Sequence, residues 1–199
     1  MEKNIEETIF DFAYNAALND ATLRSAYIGE KDKIVDIAEA RDVVKSYIDS
    51  ILDGDEPNFY HAAEELCKVI NNTEFRFGNA QKLINMTVKY IYIGAYTNKE
   101  YREKFKNCHC PMDSVMIRKV KMNYLNLNGN NTKDALLQIS LGEGKTSTDW
   151  SKVAWSKIDF CGENQRSIKI YENFQEMVKL ISEKKGISPI EYDFLEWSV

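Results

Sequence analysis

Residues 75–96 read FRFGNAQKLINMTVKYIYIGAY. Apolar residues recur in this stretch at the three- to four-residue spacing of an amphipathic helix. Two lysines, Lys82 and Lys89, interrupt the apolar pattern. They stand seven residues apart, which places both on one face of a helix. The stretch therefore predicts a core helix that carries two amines on the same side.

The same spacing continues toward the N-terminus. It recurs in NIEETIFDFAYNAAL (4–18), KIVDIAEARDVVKSYIDSIL (33–52) and NFYHAAEELCKVINN (58–72). Asn58 follows Pro57 and suits the N-cap of the third of these helices. The chain has only three prolines and nine glycines, which favours helices over a turn-rich β fold.

Toward the C-terminus, Pro111 precedes a helical pattern over 112–125. A further helix is predicted to end at Gly186, and a short helix closes the chain over 187–199. Between them, residues 126–149 are rich in Asn, Gly, Thr and Ser, and we predict an insertion or long loop with a short strand or helical turn at 135–142. We therefore expect a single all-α domain over 1–199, with about eight helices in two lobes.

Composition bounds the class of protein. The chain has 199 residues, of which 44% are hydrophobic and 29% charged, as is typical of an ordered, soluble globular protein. No run approaches the apolar length of a membrane span. The N-terminal sequence MEKNIEETIF is acidic and lacks the pattern of a signal peptide, so we expect a cytoplasmic location. We also expect a monomer.

Four cysteines occur, and two of them, Cys108 and Cys110, flank His109. A structural zinc site needs four convergent ligands, usually two closely spaced pairs, and the second pair is missing here. We therefore expect reduced, partly buried thiols, with no metal and no cofactor.

The charge is unevenly distributed. The net charge is −5, made up of −10 over residues 1–75, +7 over 76–121 and −2 over 122–199. The middle third is thus a basic block within an acidic chain. Such a block suits a solvated face, and it equally suits a surface that binds phosphate groups.

Lys82 is the candidate nucleophile. We predict a turn at GNAQ (78–81) that leads into the helix, so that Lys82 lies in the first helical turn. The helix N-terminus and the neighbouring cations Lys89 and Arg76 would disfavour its ammonium form. A lysine that is often neutral can form a Schiff base. The alternative is that both lysines extend from the helix into water.

Asp113 is the candidate carboxylate. It follows Pro111 and precedes an apolar helical pattern, so it is expected to cap that helix. A carboxylate held at a helix start can also stabilise a developing cation or act as a base. The two roles are compatible.

Residues 77–120 resemble the helix-hairpin-helix DNA glycosylases, in which a Gly-rich hairpin, a lysine and a downstream aspartate follow in order. FGNAQKLINMTVKY (77–90) resembles the hairpin and its lysine, and CPMDSVMIRKV (110–120) resembles the segment around the aspartate. The pattern is most similar to the archaeal 8-oxoguanine glycosylases. These also share the second lysine, a tryptophan segment like WSKVAW (150–155) and an ending like GISPIEYDFLEW (186–197).

The resemblance implies a DNA repair enzyme. Lys82 would attack C1′ of an oxidised purine nucleotide, displace the base and hold the sugar as a Schiff base. Asp113 would stabilise the charge that develops on the sugar. The target base would be flipped out of its stack, and Met86, Lys89, Asp193 and Trp197 would line its pocket.

The resemblance also implies how DNA, as damaged duplex or single strand, would be held. The Gly78–Asn79 turn would present backbone N–H groups to a phosphate. The basic block over 76–121, including Arg76 and Lys119, would bind the nucleic acid backbone. A cleft between the two lobes would be lined by Lys82 and Asp113.

Two other readings stay open. An HEPN-type ribonuclease would need an arginine and a histidine on one helix, and Arg102 and His109 offer a loose version of that pair. A non-catalytic helical interaction protein would use its acidic ends, its basic centre and exposed aromatics, for which the candidates are Tyr90, Tyr92 and Tyr96.

Overall fold

The computed structural model describes residues 4–22, 38–94 and 98–197. These residues form eight α-helices and one two-stranded sheet, which confirms the predicted helical fold with a small β element. The chain divides into two compact units, Met1–Lys106 and Asn107–Val199. No helix in the described ranges is long and apolar enough to cross a membrane.

In the first unit, all the regular secondary structure of the described residues is helical. Its helices are α1 (Ile5–Thr22), α2 (Ala38–Asp53), α3 (Phe59–Ile70), α4 (Phe77–Gly94) and the short α5 (Lys99–Glu103). Helix α4 packs most extensively against α1 and also contacts α2 and α3. Helix α4, which lies within the stretch 75–96, is thus the central helix of this unit. Residues 33–37, predicted to begin the second helix, and 95–96 lie outside the described residues.

Local caps fix the bounds of α3. The Asn58 side chain accepts a hydrogen bond from the His61 N–H at 3.1 Å, which confirms Asn58 as the predicted N-cap. At the other end Asn71 takes a left-handed conformation with φ 47°, and its N–H donates to the Cys67 carbonyl at 3.0 Å. Asn tolerates this conformation better than most residues, so the helix ends there.

An ion pair network joins α1 to α2. The Arg41 guanidinium donates to Glu7 at 2.5 Å and to Asp11 at 2.8 Å, and it lies over the Phe10 ring at 5.0 Å from the centroid. These contacts hold the pKa of the Arg41 guanidinium above its ordinary value although burial opposes this. Because the groups are partly exposed, the network adds modestly to stability.

The second unit comprises α6 (Ser114–Leu127), β1 (Ile139–Gly142), β2 (Lys145–Ser147), α7 (Ile168–Lys185) and α8 (Pro189–Trp197). Helix α7 packs against α6 and α8. The predicted helix over 112–125 begins two residues later than expected, because Asp113 is its N-cap. The helix also extends two residues further, to Leu127.

The predicted insertion contains a single-turn helix and a hairpin. Residues Ala135–Leu137 form a 3₁₀ turn, and β1 pairs antiparallel with β2. The hairpin tip places Gly142, Glu143 and Gly144 at positive φ, which glycine adopts without strain. Trp150, 1% exposed, donates its indole N–H to the Leu137 carbonyl at 3.0 Å and so fastens the insertion to the core.

Helix α7 ends where the sequence predicts, whereas α8 begins two residues after the predicted start at residue 187. Residues 198–199 of that prediction lie outside the described residues. Helix α7 ends at Lys185, and Gly186 follows with φ 69°. In front of α8, Ser188 donates its N–H and its hydroxyl to the Glu191 carboxylate, both at 2.9 Å. This is the reciprocal capping arrangement of a helix start, with Pro189 at the first helical position.

Candidate functional site

Helix α4 has an unusual share of buried polar side chains. Six of its polar residues are at most 8% exposed: Asn79, Gln81, Lys82, Asn85, Thr87 and Lys89. Gln81, Asn85 and Lys89 follow one another at four-residue intervals and share a face, with Lys82 beside them. We call these four residues the α4 polar face.

Hydrogen bonds order the start of this face. The Gln81 side chain donates to the Gly78 carbonyl at 3.0 Å, and the Asn85 side chain donates to Gln81 at 3.3 Å. Lys82 is 8% exposed and Lys89 is 6% exposed. The alternative that both lysines extend into water is therefore wrong. Burial of two amines on one polar face is the main chemical feature of the first unit.

The predicted turn at 78–81 is wrong. Helix α4 already begins at Phe77, so Gly78 and Asn79 are buried in its first turn and Lys82 lies in the second. The field of a helix terminus acts mainly within the first turn. Lys82 therefore lies beyond the first turn, where the prediction had placed it and where the field of a helix start is strongest.

Asn79 and Arg76 make internal contacts. The Asn79 side chain donates to the Ala21 carbonyl at 2.9 Å and accepts from the Arg76 N–H at 3.3 Å, while the Asn79 N–H donates to the Arg76 carbonyl. The Arg76 side chain donates to the Thr73 carbonyl at 3.2 Å. The Gly78–Asn79 backbone is thus part of a packed helix start and not a hairpin loop.

Asp113 lies in the second unit, whereas Lys82 lies in the first. Its Oδ1 accepts hydrogen bonds from the N–H groups of Val115 and Met116, each at 2.9 Å. This confirms Asp113 as the N-cap of α6. The side chain is half-buried, and its neighbours Met112 and Met116 are fully buried, as predicted for core methionines.

The remaining predicted site residues differ in exposure. Met86 is buried on α4 and Asp193 is 1% exposed on α8, whereas Trp197 is 60% exposed at the end of α8. Lys119 donates its amine to the Glu196 carbonyl at the same end of α8. The pocket and backbone-binding roles of these residues stay predictions.

Side chains of α7 bind the segment in front of Asp113, through contacts that the sequence did not predict. His109 Nδ1 lies 2.9 Å from the Tyr171 hydroxyl, and the Gln175 side chain binds both backbone groups of Cys110. Burial raises the pKa of the Cys108 thiol to about 12. The cysteines are free thiols, and Cys108 and Cys110 are buried.

The structure also bears on the two alternative interpretations, the HEPN-type ribonuclease and the interaction protein. Arg102 lies on α5 whereas His109 lies outside any helix, so they do not share the helix face that an HEPN-type pair needs. Tyr92 is 7% exposed, so its predicted exposure is wrong, and the partly buried Tyr90 donates to Asp20 at 2.6 Å. Tyr96 lies outside the described residues.

Two buried amides on α4 also escaped the prediction. Gln81 and Asn85 precede Lys89 by eight and four residues, a spacing visible in the sequence itself.

Comparison of the chain with protein families, with curated proteins and with solved structures gave no match.

Proposed function

We propose that this protein is a DNA glycosylase with β-lyase activity on an oxidised purine, and that Lys82 is its nucleophile. The observation that carries the proposal is the buried amine of Lys82 on the α4 polar face. A primary amine largely withdrawn from water is the kind of group that forms a Schiff base with a sugar aldehyde carbon. The proposal also draws on the resemblance of 77–120 to the glycosylases.

The chemistry needs no cofactor. The neutral amine of Lys82 attacks C1′, the bond from C1′ to the base breaks, and the base leaves with a proton. Opening of the sugar ring places a proton on O4′ and leaves a C=N bond to the lysine. Loss of a proton from C2′ then expels the 3′-phosphate. The resemblance to the glycosylases assigns to Asp113 the negative charge that stabilises the cationic sugar.

Borohydride trapping tests the proposal directly. The protein is mixed with duplex DNA that holds one 8-oxoguanine, or with abasic DNA, and borohydride is added. The reductant converts the C=N bond to a stable amine, so a covalent protein–DNA band is expected.

Lys82→Gln should abolish that band. The matched control is Lys89→Gln, which removes an equally buried amine from the same helix face. Because Lys89 is assigned to the base pocket, this control should form the band more slowly but still form it. A band that persists in Lys82→Gln overturns the assigned nucleophile. The absence of a band from every oxidised or abasic substrate overturns the glycosylase itself.

A specific observation favours a second candidate, the non-catalytic interaction protein. Ile5, Ile9 and Phe12 share one face of α1 and are 69%, 50% and 74% exposed. An exposed apolar stripe of this kind suits a protein partner. On this reading Lys82→Gln leaves the function intact, whereas Phe12→Asp weakens partner binding in a pull-down.

A further inference from the structure

Two side chains of α7 hold the segment that leads to Asp113. Tyr171 and Gln175 are four residues apart and so lie on one face of α7. We call them the α7 pair. The segment 107–113 has no regular secondary structure, and most of it is buried. A buried irregular segment must satisfy its backbone groups through specific partners.

Gln175 provides such partners for Cys110. Its amide oxygen accepts from the Cys110 N–H at 3.1 Å, and its amide nitrogen donates to the Cys110 carbonyl at 2.7 Å. One side chain thus satisfies both backbone groups of a fully buried residue, as a neighbouring strand would. Cys110 is therefore fixed in position and in orientation.

Tyr171 provides a second contact, one residue earlier. Its hydroxyl lies 2.9 Å from His109 Nδ1, and the two rings are 5.6 Å apart between centroids. Tyr171 itself is fully buried, so its ring cannot move without disturbing the core of the unit. The His109 backbone is held accordingly.

These contacts end three residues before Asp113. Pro111 and Met112, which connect Cys110 to Asp113, are also buried, and the proline ring restricts the backbone. From the other side, Asp113 is bound by two N–H groups of α6. The carboxylate is thus held between the first turn of α6 and a segment that α7 fixes.

We propose that Tyr171 and Gln175 are positioning residues that hold Asp113 in its reactive place. This role rests on the proposed function, which gives the Asp113 carboxylate a part in the reaction. Both side chains act on Asp113 through the segment 107–113. Displacement of a reacting group by about 1 Å can slow a reaction by about 100-fold.

The test is a double-mutant cycle on abasic DNA. The single-turnover rate of Schiff-base formation is measured for the unaltered protein, Gln175→Leu, Asp113→Asn and the double variant. Asn keeps the helix cap but removes the charge. We expect Gln175→Leu to slow the unaltered protein by about 10- to 100-fold. We expect it to have no further effect, within about two-fold, in the Asp113→Asn background.

A residue with a merely structural role would behave differently. It would slow both backgrounds by the same factor, and that result overturns the proposal. Gln175→Glu is the second variant should Gln175→Leu fail to fold. The ionised carboxylate that Gln175→Glu introduces can accept a hydrogen bond from the Cys110 N–H but cannot donate one to the Cys110 carbonyl. The protonated carboxyl group can do both. The rate of this variant relative to the unaltered protein should therefore rise from pH 8 to pH 5, and a flat ratio contradicts the role.

The two proposals fail in distinguishable ways. If the unaltered protein forms no covalent band, the proposed function falls and the positioning role falls with it. If the unaltered protein forms the band and the Gln175 variants form it equally fast, only the positioning role is overturned. Tyr171→Phe, which removes the hydroxyl and keeps the ring, should slow the reaction in the same background-dependent way as Gln175→Leu.

Discussion

At the scale of single residues, α4 carries side chains that a purely structural helix avoids. Burial of an ammonium costs free energy unless hydrogen bonds or opposite charges compensate for it. Lys82 and Lys89 are at most 8% exposed, and both have interaction partners. Stability would be served equally well by methionine or leucine at both positions. The proposed function uses one of these two amines as its nucleophile.

His109 gives stability a dependence on pH. Burial lowers the pKa of His109 from its ordinary 6.5 to about 4. Between these values the unfolded chain binds a proton that the folded chain does not, so stability falls as the pH drops from about 6.5 toward 4. Above this window the folded protein has no such penalty.

The effect is measured by urea unfolding at pH 7 and pH 5. Between these conditions the unaltered protein should lose about 2 kcal/mol more than His109→Gln, which has no titrating ring. The carboxylates titrate in both proteins and cancel in the comparison. An equal loss in both proteins would show that His109 is protonated in the folded state at pH 5.

At the scale of elements, the helix bounds were predictable where the cap is a local feature. Asn58, Asp113 and Gly186 act through neighbours a few residues away, so the sequence near each helix end contains the needed information. The turn predicted at 78–81 failed for the opposite reason. Gly78 and Asn79 are ordinary turn residues, but Asn79 bonds to Ala21, 58 positions away in the chain.

That contact joins the start of α4 to the end of α1 and can be measured. Asn79→Ala removes the hydrogen bond to the Ala21 carbonyl and the one from the Arg76 N–H. Because Ala21 is fully buried, its carbonyl is left without that partner. The free energy of unfolding should fall by about 1–3 kcal/mol.

Asn15→Ala is the matched control for this prediction. Asn15 is exposed on α1 and donates to the Asp11 carbonyl of its own helix. Its replacement should change the free energy of unfolding by no more than about 0.5 kcal/mol. Equal urea midpoints for the two variants would show that the contact with Ala21 does not stabilise the protein.

At the scale of the whole molecule, the sequence predicted the fold class and part of the candidate site. Helical periodicity and the turn-rich composition of 126–149 were enough for the helical fold and its small β element. Lys82 and Lys89 were found as breaks in an apolar pattern. The α7 pair could not be found in the sequence, because Tyr171 and Gln175 bind residues that lie 62 and 65 positions earlier in the chain. Only the folded chain brings such partners together.

The charge distribution predicts a salt-dependent affinity for DNA. Within the basic block, Lys82 and Lys89 are buried, whereas Lys99, Lys104 and Lys106 of the first unit are exposed. Three phosphate contacts would give a slope of about −2.7 for log affinity against log salt. The affinity for a short duplex should then fall by about 40-fold between 50 and 200 mM salt.

Fluorescence anisotropy at several salt concentrations measures this slope. Lys106→Glu should weaken binding and make the slope shallower by at least about one unit. Lys184→Glu, an equally exposed change at the end of α7 and outside the block, is the control and should leave the slope unchanged. A slope near zero in the unaltered protein would contradict the basic block as the DNA-binding surface.

The four thiols form a graded set of chemical reporters. Cys161 is exposed, Cys67 is intermediate, and Cys108 and Cys110 are buried in the segment that α7 holds. A thiolate reacts with alkylating reagents far faster than a thiol, and burial keeps Cys108 in the thiol form at neutral pH. The number of alkylated cysteines per molecule, followed over time by mass spectrometry, therefore records how often the segment in front of Asp113 opens.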